Sequence, residues 1–386
     1  MKKIVLKFGL FIALGLTVTI FNSCEKDKNG KDENENTELK INFSNPQAVF
    51  LKNSSSFKSS KSNNLKKSEL GDGATLFQLS ENGDVLPVVE GAVVTSVKPF
   101  SYGLFVTVKN ECYIIYFDNT YIKLSTDYIE FIGENEDGDL IFSDVSMIKK
   151  GSTELKEMQT ALTNPRVQSM SGNFAVIVGN GIFQIYNTVD GERYNINGCN
   201  GPRIVALNKE KALINDCQEN GLIDIKTGIR SNVDNQYVRS WNGECVYLKD
   251  GAVLMSQGFA PNFSGYGIGV VDIYGNVEVV CNDGFNSDSG DGACMNCGNE
   301  NSVLFVSNNH YIVRELTQIS VVKKGELTKK SILTGYNIIN ISVSGDKVFF
   351  IAEDNLGNKE TGFYSLTTEE ATLIITQEEF DSVYTF

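Results

Sequence analysis

One short phrase recurs along this chain and limits what it can fold into. "TLFQLSENG" at 75–83, "GIFQIYN" at 181–187, "GLIDIKTGI" at 221–229 and "GFYSLTT" at 362–368 share a form. A small residue is followed by two adjacent apolar residues, a polar one, an apolar one and a turn. In an extended strand neighbouring side chains point to opposite faces, so two adjacent apolar residues need cover on both sides. Turn signals of this kind fall near residues 83, 119, 151, 191, 228, 275, 325 and 369, about 41 residues apart on average. Glycine at such a turn supplies the positive φ that a tight hairpin needs.

From residue 71 onward, short runs rich in Val, Ile, Phe and Tyr alternate with Gly, Asn and Asp turns, a strand-and-hairpin pattern. Four short strands per repeat of about 40 residues is the spacing of a β-propeller blade. The eight turns predict an all-β propeller of seven or eight four-stranded antiparallel blades over 71–386; a β-sandwich pair is the competing fold. A ring of this kind is closed when strands from the two chain ends share a blade. "INFSNPQAVFL" (41–51) and "SVYTF" (382–386) are the segments available for that. One stretch, "STELKEMQTAL" (152–162), reads as helical or as a loop insertion.

"GLIDIKTG" resembles the strand-and-turn segment of quinoprotein-type and related propeller repeats. That resemblance covers one hairpin per repeat and implies a scaffold only. The tryptophan marking quinoprotein repeats is missing, because the chain has a single Trp, Trp241. The "WD" and "GH" signatures of WD-repeat blades are also missing. In the repeated phrase the position of Asp224 is held elsewhere by Gln184, Ser365 and Gln78, so the slot asks for a polar residue and not for an acid.

The amino terminus has a different logic. Lys2, Lys3 and Lys7 precede a mostly apolar run, "FGLFIALGLTVTIF" (8–21), and "NSC". This is the layout of a secretory leader, and the run is shorter than the roughly 20 residues of a membrane span. Cys24, following Ser23 and preceding "EKDKNGKDENENTE", resembles a bacterial lipoprotein lipobox with the acidic export stretch of Bacteroidetes-type surface lipoproteins. The resemblance implies a leader over 1–23, acylation at Cys24, and an outer-membrane lipoprotein displayed at the cell surface. Residues 24–70 are mostly Asn, Ser, Lys and Glu and read as a flexible tether; about 46 such residues have an r.m.s. reach of roughly 35–40 Å.

Net charge is −14 for 386 residues, which argues against a nucleic-acid partner, since phosphate binding needs clustered Lys and Arg. His310 is the only histidine, so a His-rich zinc site is excluded, and no GxSxG elbow accompanies it. P-loop and dinucleotide fingerprints are missing as well. Carboxylate-only chemistry stays open, because a glycosidase needs just two acids. Beyond Cys24 there are seven cysteines, and "CMNC" (294–297) with Cys281 reads as a loop staple around "NDGFNSDSGDGA" (282–293). Asp283, Asp288 and Asp291 in that insertion are a weak Ca²⁺ candidate, although their spacing is not that of a D-x-D-x-D-G loop.

A second long loop, "SQGFAPNFSGYG" (256–267), offers Phe259, Phe263 and Tyr266; with Trp241 they form the candidate ligand-binding set. Loops are where binding residues concentrate. The functional expectation is a lipid-anchored envelope propeller that binds a glycan, peptide or partner protein without chemistry of its own and without a cofactor. The alternatives are a carboxylate-dependent glycoside hydrolase or lyase on the same scaffold, and a purely structural envelope component.

Overall fold

A computed structural model describes residues 39–52 and 75–386, apart from 90–91, 109–110, 125–128, 197–202, 207, 209, 216–220, 233–244, 249–250, 257–258, 260–265, 286–302, 316, 375 and 377–378. The described chain forms eight four-stranded antiparallel sheets, and the protein is an eight-bladed β-propeller. Strands are lettered A to D from the inside of each blade outward. Blade 2 shows the plan: Val94–Phe100, Gly103–Val108, Glu111–Tyr116 and Tyr121–Lys123, each paired to the next. Blades 3 to 8 repeat it, with A strands at Phe131–Glu134, Arg166–Ser171, Arg203–Ala206, Cys245–Leu248, Val303–Val306 and Asn337–Ser344.

Blade 1 is built from both ends of the chain. Its A strand is Ser382–Tyr384, and its B, C and D strands are Ala48–Leu51, Leu76–Leu79 and Val85–Pro87. Phe50 pairs with Val383 on one side and Phe77 on the other. Both segments available for closure are therefore used, in one blade. The ring also begins before residue 71, within chain that composition assigned to a tether.

The repeated phrase is the C strand and its C–D turn. Leu76–Leu79, Ile182–Asn187, Gly221–Asp224 and Lys359–Ser365 are all C strands. Its two adjacent apolar residues do separate jobs: Leu222 packs toward blade 6 and Ile223 toward blade 4. B strands take this furthest. In blade 8, Val348 and Phe350 face blade 7 while Phe349 and Ile351 face blade 1. Among the described residues the apolar core divides into eight clusters, one in each gap between successive blades, including the gap between blades 8 and 1. A sheet buried on both faces needs continuous apolar runs, which is why Gly103–Val108 is buried at every position.

In an up-and-down blade the A–B and C–D turns leave at one end of the ring and the B–C turns and D–A crossings at the other. These ends are called here the hairpin face and the crossover face. All eight C–D turns contain one residue at positive φ: Gly83, Asn119, Gly151, Gly191, Gly228, Gly275, Gly325 and Glu369. The stretch 152–162 is not helical. It contributes Leu155–Glu157, the outermost strand of blade 3, exposed along its whole length.

Candidate binding surfaces

The binding aromatics expected from 256–267 are placed in the interior where they are described. Phe259 is 4% exposed and Tyr266 is 7% exposed. Phe259 lies on the backbone of the blade 6 C strand, in a trough made by glycine: a Cβ at Gly267 would stand 2.6 Å from Phe259 Cβ, and one at Gly269 2.8 Å from Phe259 Cζ. Tyr266 joins Phe285 and Cys281 in the cluster between blades 6 and 7. These two rings therefore fill the core and do not make a platform. Trp241 and Phe263 lie outside the described residues, as do Cys24, Asp288 and Asp291.

Cys281 is a buried free thiol, its pKa raised by desolvation; Cys294 and Cys297, the other members of the expected staple, lie outside the described residues. Asp283 is already engaged, because its Oδ2 accepts the backbone N–H of Lys329 at 2.9 Å. Lys329 Nζ donates to Gly284 O at 2.6 Å, stands 3.5 Å from Glu315 Oε2 and lies 4.9 Å from the Phe285 ring centre. The ammonium of Lys329 thus lies against the Gly284 carbonyl and the Glu315 carboxylate. No group of three or more His, Cys, Asp or Glu among the described residues is placed to hold a metal ion.

Glu315 itself is 1% exposed, at the end of the blade 7 B strand. It accepts hydrogen bonds from Ser320 Oγ and from Gln318 Nε2. This buried acid is neutralised by Lys329 and held by its own hairpin, which is a structural arrangement. Asp224, the acid of the repeated phrase, caps its turn: Oδ1 accepts from Thr227 N and Oγ1, both at 2.8 Å. Those bonds hold its carboxyl below the usual range.

The aromatic residues that do reach a surface lie elsewhere. On the hairpin face of blades 2 and 3, Tyr102 of the A–B turn stacks on Tyr116 at the end of the C strand, centroids 5.9 Å apart and planes within 4°. Phe100 meets Tyr102 edge-on at 4.7 Å, and Lys150 Nζ stands 5.1 Å over the Tyr102 ring. Tyr102 donates its hydroxyl to Gly138 O, and its pKa is raised by burial and then by Glu134. Glu134 in turn accepts from the N–H and hydroxyl of Ser101, tying the A–B turns of blades 2 and 3 together.

Next along the chain, Phe117 meets the C-terminal Phe386 at 4.9 Å and Phe43 at 5.4 Å. Tyr102, Tyr116, Phe117 and Phe386 are each part-buried. They form an aromatic band across the hairpin face of blades 1 and 2, bordered by Gly138 and Lys150 of blade 3. Sequence reading missed it because its members come from three separate stretches, at 102, 116–117 and 386, none of them long or glycine-rich.

The hairpin face also carries a second kind of surface. The C–D turns of blades 5, 6 and 7 present Ile229, Tyr274 and Leu327, exposed by 66%, 74% and 66%. Lys226, Lys323 and Lys324 are exposed on the same turns.

No protein-family model matches the chain, and no curated protein does. Solved structures resemble it at the level of the fold. A surface component of the type-IX secretion system of Porphyromonas gingivalis, PorZ, shares 10% identity over 74% of this chain, with a TM-score of 0.43; the match spans only 38% of PorZ. Dihydro-heme d1 dehydrogenase NirN shares 11% identity over 78% of this chain and 70% of its own, with a TM-score of 0.48. A puromycin-hydrolysing peptidase of Mycobacterium tuberculosis shares 9% over 73% of this chain and 53% of its own, with a TM-score of 0.47. The eight-bladed assignment rests on the sheet order itself.

Proposed function

We propose that this protein is a lipid-anchored, envelope-displayed propeller that acts as a binding or scaffold module for a glycan, peptide or partner protein. The observation that carries the binding reading is the aromatic band on the hairpin face, centred on the Tyr102–Tyr116 stack. Aromatic rings are large, stiff contact surfaces and dominate binding energy where a partner covers them. The acids nearby support a passive role: Glu134 holds Ser101, and Asp118 accepts from Thr120 N and Oγ1. The anchor reading rests on Cys24 and the leader before it.

The test is binding of the full chain to a glycan and peptide array, beside a Tyr102→Ala/Tyr116→Ala variant. A tenfold or greater loss in the variant, with unfolding unchanged apart from a modest drop in midpoint, is the expected result. Equal binding by both proteins removes the band as the site. Cleavage of a bound glycan would replace this reading with the hydrolase alternative.

A further inference from the structure

We propose that the aromatic band of blades 1 and 2 takes a cationic partner, an extended peptide segment that carries Lys or Arg side chains with apolar residues between them. This rests on the binding reading above and names the class of partner for the same site. Three observations point this way.

First, the hairpin face is acidic only around the band. Counted from the last residue of one strand to the first of the next, its turns in blades 1 to 3 (79–85, 100–103, 116–121, 134–140 and 148–155) hold eight acids and two basic residues, Lys149 and Lys150. Counted the same way, its turns in blades 4 to 8 hold ten acids and eleven basic residues. Among the described residues only Glu154 of the eight forms an ion pair, with Lys156. The others are hydrogen-bonded by neutral groups where they are bonded at all: Glu134 accepts from Ser101, Asp118 from Thr120 and Glu136 from Asn173 Nδ2. Neutral donors leave the negative charge in place for a partner to complement.

Second, a buried carboxylate beside the band is only half used. Asp139 is 7% exposed, and its Oδ1 accepts the backbone N–H of Lys150 at 3.0 Å, while no group among the described residues donates to its Oδ2. Burial raises the pKa of the Tyr102 phenol, and Glu134 and Asp139 raise it further, so both carboxylates act at that ring.

Third, the chain already places an ammonium here. Lys150 crosses Gly138, where an added Cβ would stand 2.7 Å from its Cδ, and sets its Nζ 5.1 Å over the Tyr102 ring. A ring face beside carboxylates attracts a cation, and an exposed pair of this kind is weak enough for a partner's Lys or Arg to displace. The acids are spread over three blades, and no three of them among the described residues are placed to hold a metal ion. The surface therefore fits several separate cations on one chain, with apolar side chains on the rings between them.

The experiment is fluorescence anisotropy of the full chain with a labelled peptide of alternating Lys and Tyr, beside one of alternating Glu and Tyr and a glucosamine oligomer. The Lys peptide should bind at least tenfold more tightly than the Glu peptide. Asp118→Asn/Glu136→Gln/Asp137→Asn should weaken it at least tenfold. Glu157→Gln/Glu278→Gln/Glu370→Gln removes as much charge from exposed positions on outer strands and should leave it unchanged. Lys150→Met should strengthen it several-fold by freeing the Tyr102 face. Equal binding of the two peptides, equal effects of the two triple variants, or tighter binding of the glucosamine oligomer than of the Lys peptide overturns the proposal. A neutral glycan captured through Tyr102 and Tyr116, with no preference for the Lys peptide, would keep the band as a site and remove only this inference.

Discussion

At the scale of single residues, the turns carry most of the information. Gly325 has φ +88°, and a Cβ added there would meet nothing within 4 Å. Gly325→Ala therefore isolates backbone strain from steric clash, and should cost about 1–2 kcal/mol in urea-monitored unfolding. A change below about 0.3 kcal/mol would mean that the turn adapts freely. These positions were legible in the sequence because a left-handed residue leaves a chemical trace: six of the eight C–D turns use glycine and one uses asparagine. Glu369 shows where that trace fails, since an acid holds the same conformation at φ +59°. Phe259 shows another limit. An aromatic among Gly, Ser and Asn looks exposed in sequence, yet Gly267 and Gly269 are small so that its ring can lie on their backbone. That contact joins residues eight and ten positions apart and cannot be read from local composition.

At the scale of strands and hairpins, alternation decides. The B and C strands are buried on both faces, and their adjacent apolar residues announced it. Outer strands are more exposed and lose that signal, so 155–157 carries a lone apolar residue, Leu155, beside Lys156 and Glu157 within a stretch that imitates a helix surface. The blade 7 hairpin contains the least legible element, the buried Glu315. Its partner Lys329 lies beyond the next strand, and Asp283 belongs to blade 6. Removing the cation while the acid stays buried is costly, so Lys329→Met should destabilise by about 3 kcal/mol, at the low end for a broken buried pair because Ser320 and Gln318 still hold the carboxylate. Glu315→Gln added to Lys329→Met should recover more than half of that loss. A double variant as unstable as the single one would show that Lys329 acts through packing on Phe285 and not through charge.

At the scale of the molecule, the repeats build the ring and the non-repeating turn tips differentiate its faces. The aromatic band over blades 1 and 2 and the exposed tips Ile229, Tyr274 and Leu327 over blades 5 to 7 occupy different arcs of one face. All of this depends on closure, because an open ring would expose the clusters on either side of blade 1. Closure is concentrated in the last five residues. Ser382–Tyr384 pairs with Ala48–Leu51, Thr385 Oγ1 donates to Val343 O, and Phe386 seals the aromatic cluster with Phe43 and Phe117. The most direct test is the thermal unfolding of a chain ending at Asp381. The ring described here predicts loss of the cooperative transition, or a fall in its midpoint of more than 10 °C, for a truncation that removes the inner strand of a blade. An unchanged midpoint and cooperativity would contradict a propeller closed by its own carboxyl terminus.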